Sequence, residues 1–139
     1  MIDLHSHLLP GIDDGAQTPE DAVAMARLAV AAGTTTLACT PHIYPGLFPN
    51  TRETIAAARA VLDDALSVAG IALEIVIGAD IQIVPELAQQ LSSGVLPTLN
   101  DTRYFLFEPP HHVPNTSMLE LVHSALAAGF IPLITHPER

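Results

Sequence analysis

Histidine and carboxylate side chains hold divalent cations, and this sequence sets them at intervals that only a fold can close. The stretch HSHLLPGIDDGA, residues 5–16, carries His5, His7, Asp13 and Asp14 around a Pro10-Gly11 turn. His5 and His7 are two residues apart, so in an extended segment both side chains point to one side. There they can offer neutral imidazole nitrogens to one ion. Asp13 and Asp14, beside Gly15, read individually as turn formers. Asp14 lies past the bend and can return to the same mouth. Further along, His42 follows ACTP, Asp80 lies in GADI, Glu108 in FEPP and His136 in THPER. Asp80 and Glu108 supply the negative charge that a divalent cation demands. One histidine near a strand end is an ordinary structural group; the recurrence is what points to metal.

The elements that must position these residues alternate along the chain. Strand candidates are Met1–Leu4, Thr34–Cys39, Ile71–Ile77, Arg103–Phe107 and Phe130–Thr135, all short and apolar enough to be buried. Between them, Thr18-Pro19-Glu20-Asp21 starts a helix that Gly33 stops. A second helix runs from about Thr51 to Ala69, with Ile55, Ala58, Leu62, Ala65 and Leu66 on one face. Pro85–Leu91 reads as a short helix and Thr116–Ala128 as a last one. This alternation predicts an α/β fold with about five parallel strands and right-handed crossovers. Each strand candidate is followed within three residues by a potential ligand. In parallel α/β folds the C-terminal strand ends converge on one face, so the seven scattered ligands are expected to meet there.

Composition narrows the partners. The 139 residues are 49% hydrophobic, enough for one domain with a proper core. Five arginines, no lysine and 15 acidic residues give a formal net charge of −10. A nucleic acid or an anionic membrane would be repelled, and a phosphate ligand would need a bound metal to reverse the field locally. No signal peptide and no apolar run of about 18 residues is present, so the expected location is the cytoplasm without membrane insertion. Cys39, the only cysteine, excludes an intramolecular disulfide and reads as a small buried hydrophobe. Cysteine-dependent phosphatases resemble one another in an arginine six positions after the cysteine, where this chain has Pro45. His123 falls on the polar face of the last helix, and His111 and His112 in a proline-bounded loop read equally as substrate contacts or exposed residues.

With HSHLLPGIDDGA, ACTPH, GADI, FEPP and THPER together, the chain resembles the PHP (polymerase and histidinol phosphatase) superfamily. Specifically, it is similar to the CpsB/CapC-type metal-dependent protein-tyrosine phosphatases of bacterial capsule and exopolysaccharide synthesis, across all 139 residues. The resemblance implies a distorted, TIM-like (β/α)7 barrel with up to three divalent ions, often manganese, at its strand ends. By position it assigns His5, His7 and Asp80 to the first ion, and Asp80, Glu108 and His136 to the second. Asp14 and His42 are assigned to the third, and Arg139 to a catalytic grip on phosphate that suits a guanidinium. The implied substrate is the phosphotyrosine tail of a bacterial tyrosine kinase. A small-molecule phosphatase of the histidinol-phosphate type and a non-catalytic metal-binding or interaction remnant are the alternatives.

Two departures accompany the resemblance. The family usually has Glu where this chain has Asp80, and a further Asp-x-His motif and later strands are not in this sequence. A full eight-unit barrel takes roughly 250 residues. Residues 1–139 are therefore expected to form a single but incomplete PHP domain, whose open sheet edge favours homo-oligomers.

Overall fold

A computed structural model describes residues 1–82, 84–109 and 116–137. The chain opens with β1 (Ile2–Ser6), α1 (Pro19–Ala31), β2 (Thr36–Cys39) and β3 (His42–Ile43). Then come α2 (Arg52–Val68), β4 (Glu74–Ile77), β5 (Asp80–Gln82) and α3 (Leu87–Ser92). A 3-10 turn (Leu99–Asp101), β6 (Tyr104–Glu108), α4 (Thr116–Ala127) and β7 (Ile131–Ile134) complete it.

The helix starts follow from side-chain chemistry. Thr18 accepts from the Asp21 N–H while the Asp21 carboxylate accepts from the Thr18 N–H, a reciprocal cap. Thr51 and Thr54 cap α2 in the same way. Helix α3 begins at Leu87, two residues later than expected, because Glu86 takes a left-handed φ of 58°. Ile55, Ala58, Leu62 and Leu66 form the buried stripe of α2, as its periodicity predicts.

All paired strands are parallel, in two sheets ordered β1-β2-β4 and β3-β5-β6-β7. Two expected strands, found as β2 and β4, are each followed after a two-residue break by a further short strand that the sequence pattern does not predict. β2 and β3 are separated by Thr40-Pro41, where proline has no N–H for the ladder, and β4 and β5 by Gly78-Ala79. Register nevertheless runs on through the break: Thr36 faces Glu74, Cys39 faces Ile77, and His42 then faces Asp80. The strand paths thus lie side by side in chain order, and their ends collect at one rim.

β6 is buried along Phe105–Glu108, with Phe105 and Phe107 in the main core and Leu106 in a smaller cluster with Ala38 and Leu99. The expectation of five buried strands fails at the two edges. Ile2 on β1 is 65% exposed and Ile134 on β7 is 54% exposed, since each of these strands pairs on one side only among the described residues. No helix of the described residues is long and apolar enough to cross a membrane.

Candidate metal centre

The first loop is built around one buried carboxylate. Asp13 Oδ2 lies 2.7 Å from His7 Nδ1 and accepts from the His42 N–H at 3.1 Å, while Oδ1 accepts from the Gly15 N–H at 3.0 Å. The loop also closes on itself, the Ala16 N–H donating to His7 O at 3.0 Å. Gly15 is required by contact rather than by backbone angle: a Cβ there would stand 2.1 Å from His7 O. His5 lies inside β1 rather than after it, at a register irregularity between Asp3 and Ser6 opposite β2. Such bulges re-aim a side chain. The His5 and His7 rings end 5.0 Å apart, edge to face.

The other strands bring their residues to the same place. Asp80 follows β4 by three residues and also begins β5, and Glu108 is the last residue of β6 rather than a residue beyond it. Potential ligand atoms lie within 4.8 Å of one another in three overlapping sets: His5, His7 and Asp80; His7, Asp14 and His42; His42, Asp80 and Glu108. His42 stands at the middle, with Nε2 3.6 Å from Asp14 Oδ1 and Nδ1 3.6 Å from Asp80 Oδ2 and 3.4 Å from Glu108 Oε2. His136, at a left-handed φ of 49°, holds its ring 5.4 Å from that of His5 and lies outside these three sets.

Two atoms test whether this arrangement fits a cation. His5 Nε2 and Asp80 Oδ2 are both buried without a hydrogen-bond partner among the described residues, and they stand 3.9 Å apart. Orphaned polar atoms are costly in an interior. The gap is too long for a hydrogen bond, but two ligands each about 2.1 Å from one ion span it readily. The remaining atoms of both residues are already held. His5 Nδ1 is 2.7 Å from Thr40 Oγ1, and the Thr135 hydroxyl donates to Asp80 Oδ1 at 2.8 Å. Those contacts turn the orphaned atoms inward, as neighbours of metal ligands do. The residues fit a divalent ion.

Electrostatics agree with that assignment. Burial, helped by His7, His136 and His42, lowers the His5 pKa against the pull of Asp80, so its lone pair is available. Burial also raises the Asp80 pKa, assisted by Glu108 and opposed by Thr135, His5 and His42. A cation is what would hold that carboxylate ionised. For His7, burial works against the charged ring, but the hydrogen bond and charge of Asp13, with Asp14 and Asp80, outweigh it and raise the pKa. For Asp13, burial is outweighed by the contacts from His7, Gly15 and His42, and the pKa is lowered.

Residues read only as turn or strand-end punctuation turn out to organise the site. Asp13, Thr40 and Thr135 each contact a ligand candidate, and nothing in the sequence distinguishes Asp13 from its neighbour Asp14. Cys39 is buried, with its thiol pKa pushed up to about 12 by burial, and His123 is exposed, both as expected. Arg139, His111 and His112 lie outside the described residues. A separate cavity of about 370 Å³ between α2, β4 and the 97–101 segment contains Arg52 and Arg59. These arginines are paired with Asp101 and Asp63, and no set of potential ligands among the described residues lines the cavity.

Parallel sheets with crossover helices and a histidine–carboxylate cluster on the strand-end rim define an α/β protein with a candidate metal centre. The sequence model for capsular polysaccharide synthesis, CpsB/CapC, matches residues 1–139, and the chain belongs to that family. It is 40% identical over 140 residues to the tyrosine-protein phosphatase YwqE of Bacillus subtilis, covering 100% of this chain and 55% of the relative. It is 32% identical over 147 residues to the tyrosine-protein phosphatase CpsB of Streptococcus pneumoniae, covering 57% of that protein. A solved structure from work on YwqE and CpsB, described there as "unique metal-dependent tyrosine phosphatases", superposes with a TM-score of 0.91 at 40% identity. That match covers 99% of this chain and 56% of the other. The chain spans about half the length of the curated relatives it matches.

Proposed function

We propose that the chain carries the metal centre of a protein-tyrosine phosphatase acting on the phosphorylated tail of a bacterial tyrosine kinase in capsule or exopolysaccharide synthesis. The observation that carries this is the facing pair of orphaned buried atoms, His5 Nε2 and Asp80 Oδ2, inside a six-residue cluster. Family membership and relatives named as tyrosine phosphatases support the choice of reaction.

Bound divalent ions, manganese in this reading, supply charge neutralisation and a water acidified toward neutral pH. The chain's own residues do the positioning. His5, His7 and Asp80 form one binding set, Asp14 and His42 a second with His7, and Glu108 with His136 completes the cluster beside Asp80. Asp13 holds His7 through Nδ1, so Nε2 is the nitrogen assigned to an ion. Thr135 holds one oxygen of Asp80 and leaves the other facing inward. Arg139 is assigned the phosphate oxygens. The tyrosine phenolate, with a parent pKa near 10, leaves without a strong general acid. A partial, distorted (β/α)7 barrel, a cytoplasmic location and self-association through the exposed edge strands belong to the same proposal.

The test is hydrolysis of a phosphotyrosine peptide by the chain with Mn2+ and with chelator, beside histidinol phosphate. Metal-dependent release of phosphate from the peptide supports the proposal. Faster turnover of histidinol phosphate points to the small-molecule alternative, and no hydrolysis of either points to a non-catalytic remnant.

A further inference from the structure

We propose that the turn Tyr44–Phe48 is the wall that receives the aryl ring of the substrate, so that Phe48 contributes to the choice of phosphotyrosine over alkyl phosphates. This rests on the phosphatase reading above. The turn follows β3 directly, two residues beyond His42. It is closed by reciprocal bonds: the Tyr44 N–H donates to Phe48 O at 2.9 Å, and the Phe48 N–H donates to Tyr44 O at 2.8 Å. Gly46, at φ +88°, lets so short a segment reverse. Asn50 Nδ2 donates to His42 O at 2.9 Å and Ile12 O at 2.8 Å, which fastens the base of the turn to the first ligand loop.

The effect is to hold one aromatic ring at the edge of the cluster. Phe48 stacks on His42 with ring centroids 5.5 Å apart and planes 13° apart. Tyr44 and Phe48 are half-buried, and Leu47 at the tip is 60% exposed. Phe48 and Leu47 carry no metal-ligating atom, and the Phe48 ring stacked on His42 sets apolar surface beside an otherwise polar centre. An aryl group joined to a phosphate held at that centre can cover this surface, and ring against ring adds to simple burial. A serine phosphate brings no ring to it. Because the turn is already closed, little ordering is required on binding.

The test uses the whole Mn2+-loaded chain and two phosphonates that cannot be hydrolysed, phenylphosphonate and methylphosphonate, titrated calorimetrically. The wild type is expected to prefer phenylphosphonate by roughly five- to tenfold. Phe48→Ala is expected to bring that ratio toward one through loss of phenylphosphonate affinity, and Phe48→Leu, which keeps apolar volume, to retain part of it. Leu47→Ala, a change at an exposed tip, reads the same wall without burial at stake, with a smaller fall in the ratio. Equal or undetectable binding of the two by the wild type overturns the proposal, as does a ratio unchanged in the folded variants. Hydrolysis of a phosphotyrosine peptide is read separately: a preference without turnover sinks the phosphatase reading and leaves the aryl wall standing.

Discussion

Asp13 and Asp14 are neighbours in sequence and opposites in environment: the Asp13 side chain is 0% exposed and that of Asp14 is 65% exposed. A carboxylate taken out of water needs partners, and Asp13 has three, of which two belong to ligand candidates. Asp13→Asn keeps the shape and removes the charge that fixes His7. Metal affinity is expected to fall about 10- to 100-fold, read by competition with a chromogenic chelator; unchanged affinity would mean that Asp13 only shapes the loop. His7 and Asp13 together set a pH window for the metal-free chain. His7 has a raised pKa, so its contribution is full below its unfolded value near 6.5 and is lost as pH rises through the folded value. Asp13 has a lowered pKa, so its contribution is present above its unfolded value near 3.9 and is lost as pH falls through the folded value. Urea unfolding in chelator from pH 3 to 8 should therefore show a difference between wild type and Asp13→Asn that is greatest between about 4 and 6.5 and shrinks on both sides, the slopes from the raised Asp80 and lowered His5 pKa being common to both chains.

At the scale of elements, much of the arrangement is legible in the sequence. Capping threonines, glycine stops and β-branched runs marked α1, α2 and the strand paths because each is a local signal. The interruptions at Thr40-Pro41 and Gly78-Ala79 were not legible as strand breaks with continuing register, since what carries the ladder across is backbone bonding between strands: the Gly78 N–H to Cys39 O, and the Asp80 N–H to Pro41 O. The ligand types were readable from spacing, but not the neighbours that aim them. Thr40 and Thr135 act across 35 and 55 residues of sequence, a distance no local pattern spans. Gly15 is the element-scale test. Gly15→Ala puts a methyl into His7, so the loop must shift at a cost of about 1–3 kcal/mol, and Mn2+-dependent stabilisation should shrink with it. Urea melts with and without Mn2+ check both; a variant as stable and as metal-responsive as the wild type would contradict this role.

For the whole molecule, the formal charge of −10 and the cluster of histidines and carboxylates bear on the same question. A cluster in which Asp80 and His42 each face several partners at 3.4–3.9 Å has a spacing too long for hydrogen bonds and suited to cations between the groups. Ions that bind the folded chain in preference to the unfolded one also stabilise it. The most direct test is the metal bound per chain after equilibration with Mn2+ and removal of free ion, for the wild type and Asp80→Asn at equal folded content. At least one ion on the wild type and a clear loss in Asp80→Asn is the expected result; a metal-free wild type, or the same content in both, would contradict the assignment of this rim as a metal centre.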